Sequence, residues 1–241
     1  MRSIGWNDEA DRMKIKSLAI ISLATALLFW MAPTHAQTYV LKSEVTIRIK
    51  AQGGPLTPVR LTFDPTDPNR FAVVDVSDGS ITVWSYDGAF TKELHLDAGA
   101  VAVAISPDGK TIASSTVSGQ IFLWNRDGTQ RGDTFLGHDG SVQDLDFSPD
   151  GLKLASAGYD STVRLWSLDG KQIGKPFIGH TEWVRAVSFS PDGTKIASSS
   201  IDGTIRLWNT RGELLAGPLL GHERWVEAVN FSPCGDFIAS A

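Results

Sequence analysis

The sequence predicts an all-β fold built from four-stranded antiparallel sheets, about four complete and part of a fifth. Three observations carry that prediction: a repeat of 42 residues, turn signals that cut each repeat into four short runs, and no helical periodicity beyond one apolar stretch near the N-terminus. Composition permits such a fold. Of 241 residues, 42% are hydrophobic and 20% charged, which supplies a sizeable core and is too polar for a polytopic membrane protein. The net charge of -5 gives no basic field for nucleic acid or anionic lipid. The single cysteine, Cys234, excludes an intramolecular disulfide and a Cys-rich zinc site. Eight tryptophans are many for this length, and most of them mark the phase of the repeat.

The first element, residues 1–36, reads as a secretory signal peptide. Lys14 and Lys16 precede an apolar run over 18–31, and Thr34 and Ala36 supply small side chains for cleavage before Gln37. A leader beginning at Met13 avoids Asp8, Glu9 and Asp11, so residues 1–12 read as a start-site misassignment. The competing reading is an uncleaved anchor, but the run is short of the roughly 20 residues a spanning helix needs. The expectation is an exported chain, periplasmic or extracellular, with no stable membrane insertion after cleavage. Residues 37–52 come next as an outer strand, over 39–49, and a linker.

Residues 53–241 carry the repeat. Ile105, Ser106, Pro107, Asp108, Gly109 recurs at 147–151 and 189–193, and again at 231–235 with Cys234 in the aspartate place. Phe63 holds the same phase one period earlier. Trp84, Trp124, Trp166 and Trp208 follow at intervals of 40, 42 and 42, the first shortened because the turn over 64–69 is two residues longer, and the Gly-His pairs at 137–138, 179–180 and 221–222 are 42 apart. Within the unit from His180, Val184, Val187 and Phe189 alternate imperfectly, as a strand with one bulge does. Ser190, Pro191, Asp192, Gly193 is a turn, with proline fixing φ and glycine accepting the left-handed conformation. Residues 195–199 form a second strand. Asp202-Gly203 turns the chain into a third over 204–208, and 214–220 make an outer fourth. Four antiparallel strands at this period describe a propeller blade.

These residues resemble the WD-repeat β-propeller family, in an exported bacterial form, over nearly all of the chain after the leader. The Gly-His pair, the Ser-Pro-Asp-Gly turn, the aspartate before the third strand and the tryptophan ending it carry the resemblance. The chain departs from the pattern after each tryptophan, where Ser85, Asn125, Ser167 and Asn209 replace the aspartate that names the family. The repeats are also uneven: Leu96 and Ser118 stand in the histidine and aspartate phases of the second unit, and Gly54 and Val74 where His and Ser belong in the first. The resemblance implies a structural hydrogen-bond network in the two complete units, His138, Ser156, Asp160 and Trp166, then His180, Ser198, Asp202 and Trp208. Aspartate would orient histidine, histidine would bond serine, and serine would reach the indole.

By residue type the same sets could be mistaken for a hydrolase triad, but a catalytic site is rarely duplicated one repeat later. Asp64, Asp67 and Asn69 are spaced loosely like calcium ligands, yet Pro65 and Pro68 suit a rigid turn. Cys234 reads as a drifted turn aspartate. No catalytic residue, cofactor or metal is therefore expected. Function falls to the surface where the loops before the first strands converge. Trp183 and Trp225 sit there, with Arg185, Glu227 and Gln143 at one shared register position and Tyr159 before a hairpin aspartate. The indoles read equally as binding anchors or as packing against a neighbouring blade. Varied chemistry on a fixed frame suits a protein or peptide partner, which makes the favoured function a non-catalytic protein-interaction scaffold. The alternative is a fragment of a larger exported enzyme, sensor or envelope-complex propeller. That alternative draws on the fifth unit, which stops inside its second strand, as the front part of a longer propeller would.

Overall fold

The structure is a computed structural model that describes residues 60–75, 79–86, 90–97 and 99–241, together with two short strands nearer the N-terminus. The chain divides into two compact units, Met1–Pro58 and Val59–Ala241. In the first, β1 (Leu18–Ala19) pairs antiparallel with β2 (Ile49–Lys50). Otherwise the signal peptide over 1–36 and the outer strand and linker over 37–52 lie outside the described residues.

The second unit is a series of antiparallel sheets, each a meander. The first contains β3 (Arg60–Asp64), β4 (Asp67–Asp75), β5 (Ser80–Tyr86) and β6 (Phe90–Asp97). Next come β7 (Ala100–Ile105), β8 (Thr111–Thr116) and β9 (Ile121–Asn125). Two further four-stranded sheets hold β10 (Val142–Phe147), β11 (Lys153–Gly158), β12 (Thr162–Ser167) and β13 (Phe177–Ile178), then β14 (Val184–Phe189), β15 (Lys195–Ser200), β16 (Ile205–Asn209) and β17 (Leu214–Leu219). The last has β18 (Val229–Phe231) and β19 (Ile238–Ser240). No helix occurs among the described residues. In the β7–β9 sheet the fourth position is reduced to two isolated bridges, Ile121 to Phe135 and Trp124 to Gln130.

The bulge expected between Val184 and Val187 is a register shift between Val184 and Ala186, and the same shift recurs between Val142 and Asp144 and between Ala100 and Ala102. It lets the strand leave the rim loop and still turn its later apolar residues inward. Ser-Pro-Asp-Gly turns close the β7–β8, β10–β11 and β14–β15 hairpins. Ser148 Oγ donates to Asp150 at 2.5 Å and accepts the Lys153 N–H at 2.9 Å, while Gly151 takes a φ of 68° that a side chain would resist. Cys234 occupies that aspartate place, with its sulfur 3.2 Å from Ser232 Oγ. Near Asp64, the carboxylate accepts from the Thr66 N–H and from buried Arg70 at 2.7 Å, so this loop is a self-bonded turn.

The core lies between sheets. Apolar side chains of one sheet pack against those of the sheet before it. Val184, Val187, Phe189, Ile196 and Trp208 pack on Ala155, Ala157, Val163 and Leu165, and Leu145, Phe147, Leu154 and Trp166 pack on Ala104, Ala113, Ile121 and Leu123. These layers bury the apolar side chains between neighbouring sheets. They stack the sheets as propeller blades and gather the loops before β10, β14 and β18 at one end.

Candidate functional site

That end is built from the Gly-His loops and the β11–β12 and β15–β16 hairpins. Gln143, Arg185 and Glu227 occupy the same place in three successive sheets, and the structure joins them into one ladder. Arg185 Nε donates to Glu227 Oε2 at 2.8 Å, and its two terminal nitrogens lie 2.6 Å from that oxygen and 2.7 Å from Gln143 Oε1. The second also reaches the Tyr159 hydroxyl at 3.4 Å. Gln143 is itself buried and donates to Ser141 Oγ at 2.7 Å. Planar guanidinium geometry suits such multiple anchoring.

The two indoles differ. Trp183 stacks on Tyr159 of the preceding sheet, with ring centroids 3.9 Å apart and planes at 10°, yet stays 42% exposed. Packing and exposure coexist because Tyr159 covers one ring face only. Trp225 is 65% exposed and borders a groove of about 740 Å³ lined also by Ile201, Leu220, Glu223 and Glu227.

Beneath the rim lie the two histidine networks. His138 Nδ1 is 3.0 Å from Asp160, its Nε2 is 2.7 Å from Ser156 Oγ, and the Trp166 indole N–H donates to that oxygen at 2.8 Å. His180, Asp202, Ser198 and Trp208 repeat it at 2.8 Å throughout. Burial pushes both imidazoles below their ordinary value, and the aspartates only partly oppose it, so each ring is neutral. A neutral ring donates from Nδ1 to the carboxylate and accepts the serine proton at Nε2, leaving serine to accept from the indole. For Asp160 and Asp202 burial acts upward, but hydrogen bonds from His138 and Thr162, and from Thr204 and His180, override it and hold both carboxyls low. Ser156 and Ser198 are fully buried with their hydroxyls engaged on both sides, so neither offers an oxygen to a substrate. Two other units hold fragments: Trp124 still bonds Ser114 at 2.8 Å without a histidine, and exposed His222 bonds Ser240 at 2.8 Å. Among the described residues no three His, Cys, Asp or Glu side chains converge as metal ligands would.

Sequence reasoning missed Asp144 and Asp146. Both project from β10 to the next sheet, where Asp144 accepts the Val187 N–H at 3.0 Å and Asp146 the Phe189 N–H at 2.7 Å. These amides lie on the edge of β14 away from β15, where the strand ladder cannot satisfy them. Ser188 stands one repeat after Asp146 and accepts the Phe231 N–H at 3.4 Å. Desolvation between the first strands, with some repulsion from Asp144, pushes Asp146 up to about 7. The signal was available: carboxylates alternate along one strand where the neighbouring repeats carry Ala102 and Ala186.

The sequence model of the family described as WD domain, G-beta repeat matches residues 90–125, 130–167, 170–209 and 214–241. No curated protein matches the chain. Two of these matched stretches begin with the outer strand of one sheet and run through the first three strands of the next, as β6 to β9 and β13 to β16 do, so one sequence repeat bridges two blades. Four consecutive matches over most of the described residues, in phase with the antiparallel sheets, show that the chain belongs to the WD-repeat family.

Proposed function

We propose that the protein is a non-catalytic scaffold that binds a protein or peptide partner at the rim formed by Gln143, Tyr159, Trp183, Arg185, Trp225 and Glu227. WD repeats make a protein-interaction kind of fold, and the observation that supports this particular face is the ladder across three sheets. Arg185 ties Gln143, Tyr159 and Glu227 into one rigid surface, with partly exposed indoles on either side. Rigid aromatic anchors lose little entropy on binding. The buried networks support a non-enzymatic reading, because the groups with catalytic character are turned to structural use. The acidic net charge speaks against nucleic acid.

The basic and apolar pattern of residues 14–36 supports a scaffold that works outside the cytoplasm, periplasmic or extracellular. Mass determination of the chain recovered from a bacterial host tests that: loss of residues 1–36 supports export with cleavage, and an intact N-terminus overturns it. Partner binding is tested by co-purification with Trp225→Ala and His180→Ala variants. The first should lose the partner at unchanged thermal stability; the second should lose stability and retain the partner. The reverse pattern overturns the rim as binding face.

A further inference from the structure

We propose that the segment bound at this rim is basic, an extended peptide bearing lysine or arginine, whose side chain lies in the groove beside Trp225 with its charge at Glu223 and Glu227. The proposal rests on the reading of the rim as the binding face and adds the chemistry of what is bound.

Charge decides the sign of the partner. Arg185 is the cation at the centre of the rim, but all three of its guanidinium nitrogens are engaged by Glu227, Gln143 and Tyr159. It is also the more sunken partner, its side chain 21% exposed against 48% for Glu227, so the ion pair presents its carboxylate outward. Both bonds to Glu227 fall on Oε2, leaving Oε1 for a further donor. Around this pair the Gly-His loops expose Asp139, Glu182 and Glu223, opposed by Arg224 and His222. A guanidinium whose three nitrogens are all engaged by the protein is a poor site for an acidic ligand, whereas an exposed carboxylate beside an indole can capture a cation.

Shape agrees with charge. The groove is lined by apolar Ile201, Leu220 and Trp225 and by the carboxylates of Asp202, Glu223 and Glu227, with Arg224 as its one cation. A lysine or arginine has both kinds of surface, an aliphatic stem and a charged head. A glutamate would set its charge against like charge, and a purely apolar side chain would leave Glu227 Oε1 without a donor from the ligand. Exposed Trp183 offers its face opposite Tyr159 to a second cation farther along the peptide.

The test is fluorescence anisotropy of the full chain with two labelled peptides, one alternating lysine with glycine and one alternating glutamate with glycine. The lysine peptide should bind and the glutamate peptide should not. Trp225→Ala and Glu223→Gln should each weaken the lysine peptide about three- to fivefold, and together about tenfold or more. Glu213→Gln and Asp169→Asn, on turns at the opposite end of the sheets, should leave binding unchanged. Equal weakening by those two variants would mean that the peptide senses net charge alone and would overturn the proposal. Preferential binding of the glutamate peptide, or binding of neither while the natural partner is still captured through Trp225, would overturn the basic partner and spare the rim reading. Binding of neither, with capture also insensitive to Trp225, would remove both.

Discussion

The sheet β14–β17 and the sheet β18–β19 carry the same motif in the same phase, and they use it differently. In both, a histidine Nε2 lies 2.8 Å from the serine eighteen residues on. In the first sheet His180 is 6% exposed, Ser198 and Ile196 are fully buried and Phe189 is 6% exposed. In the second, His222 is exposed and Ser240, Phe231 and Ile238 are only half-buried. In both sheets the loop before the first strand and the second strand bring histidine to serine. In the first sheet Asp202 bonds the imidazole and Trp208 bonds the serine, and the pair is buried. The contribution of a repeated residue to stability follows its surroundings and not its identity.

The sharpest way to break this contrast is Trp208→Ala, which removes a buried indole from the layer between two sheets. It should cost about 3–5 kcal/mol in urea unfolding; a loss near 1 kcal/mol would mean that the layer collapses onto the gap. His180→Ala should follow at about 2–3 kcal/mol, because it strands a buried carboxylate and a serine hydroxyl. Asp146→Asn acts through pH. The folded value of about 7 lies above the ordinary 3.8, so the folded chain holds the proton across that window and stability falls as pH rises through it. The substitution should remove a decline of about 1–2 kcal/mol between these limits, a size discounted for the partial exposure of the carboxylate. The histidines slope the other way. Held neutral below their ordinary 6.5, they resist folding once the unfolded chain can protonate, so stability drops as pH falls under that value. The variant should therefore show a rising limb alone in thermal scans at stepped pH. Smallest of all, His222→Ala should change stability by no more than about 0.5 kcal/mol, and a loss matching His180→Ala would erase the distinction between the two sheets.

Much of the blade could be read directly. The hairpin turns, the bulge and the fourth strand at Leu214–Leu219 all arise from period-two patterning cut by Pro, Gly and Asp. The His180 network was legible through the family resemblance; Ser198 and Trp208 lie on paired strands, with His180 in the loop before the sheet and Asp202 in its hairpin. The weak fourth strand beside β9 was harder, since the run over 130–135 holds only Phe135 as an apolar anchor. At the rim, position could be read and bonding could not. That Gln143, Arg185 and Glu227 share a place was visible; that Arg185 would reach both neighbours depended on the spacing between sheets.

By itself, then, the sequence determined the repeating unit: its strands, its turns and its bulge, with the networks within a sheet implied by the family resemblance. All of these depend on contacts between segments joined by short hairpins, for which chain connectivity sets the geometry. The tertiary structure alone decided what crosses from one sheet to the next. The Arg185 ladder, the Tyr159–Trp183 stack and the capping of β14 amides by Asp144 and Asp146 link residues in different repeats. Their distances are set by how neighbouring sheets pack and rotate, which no spacing along the chain encodes.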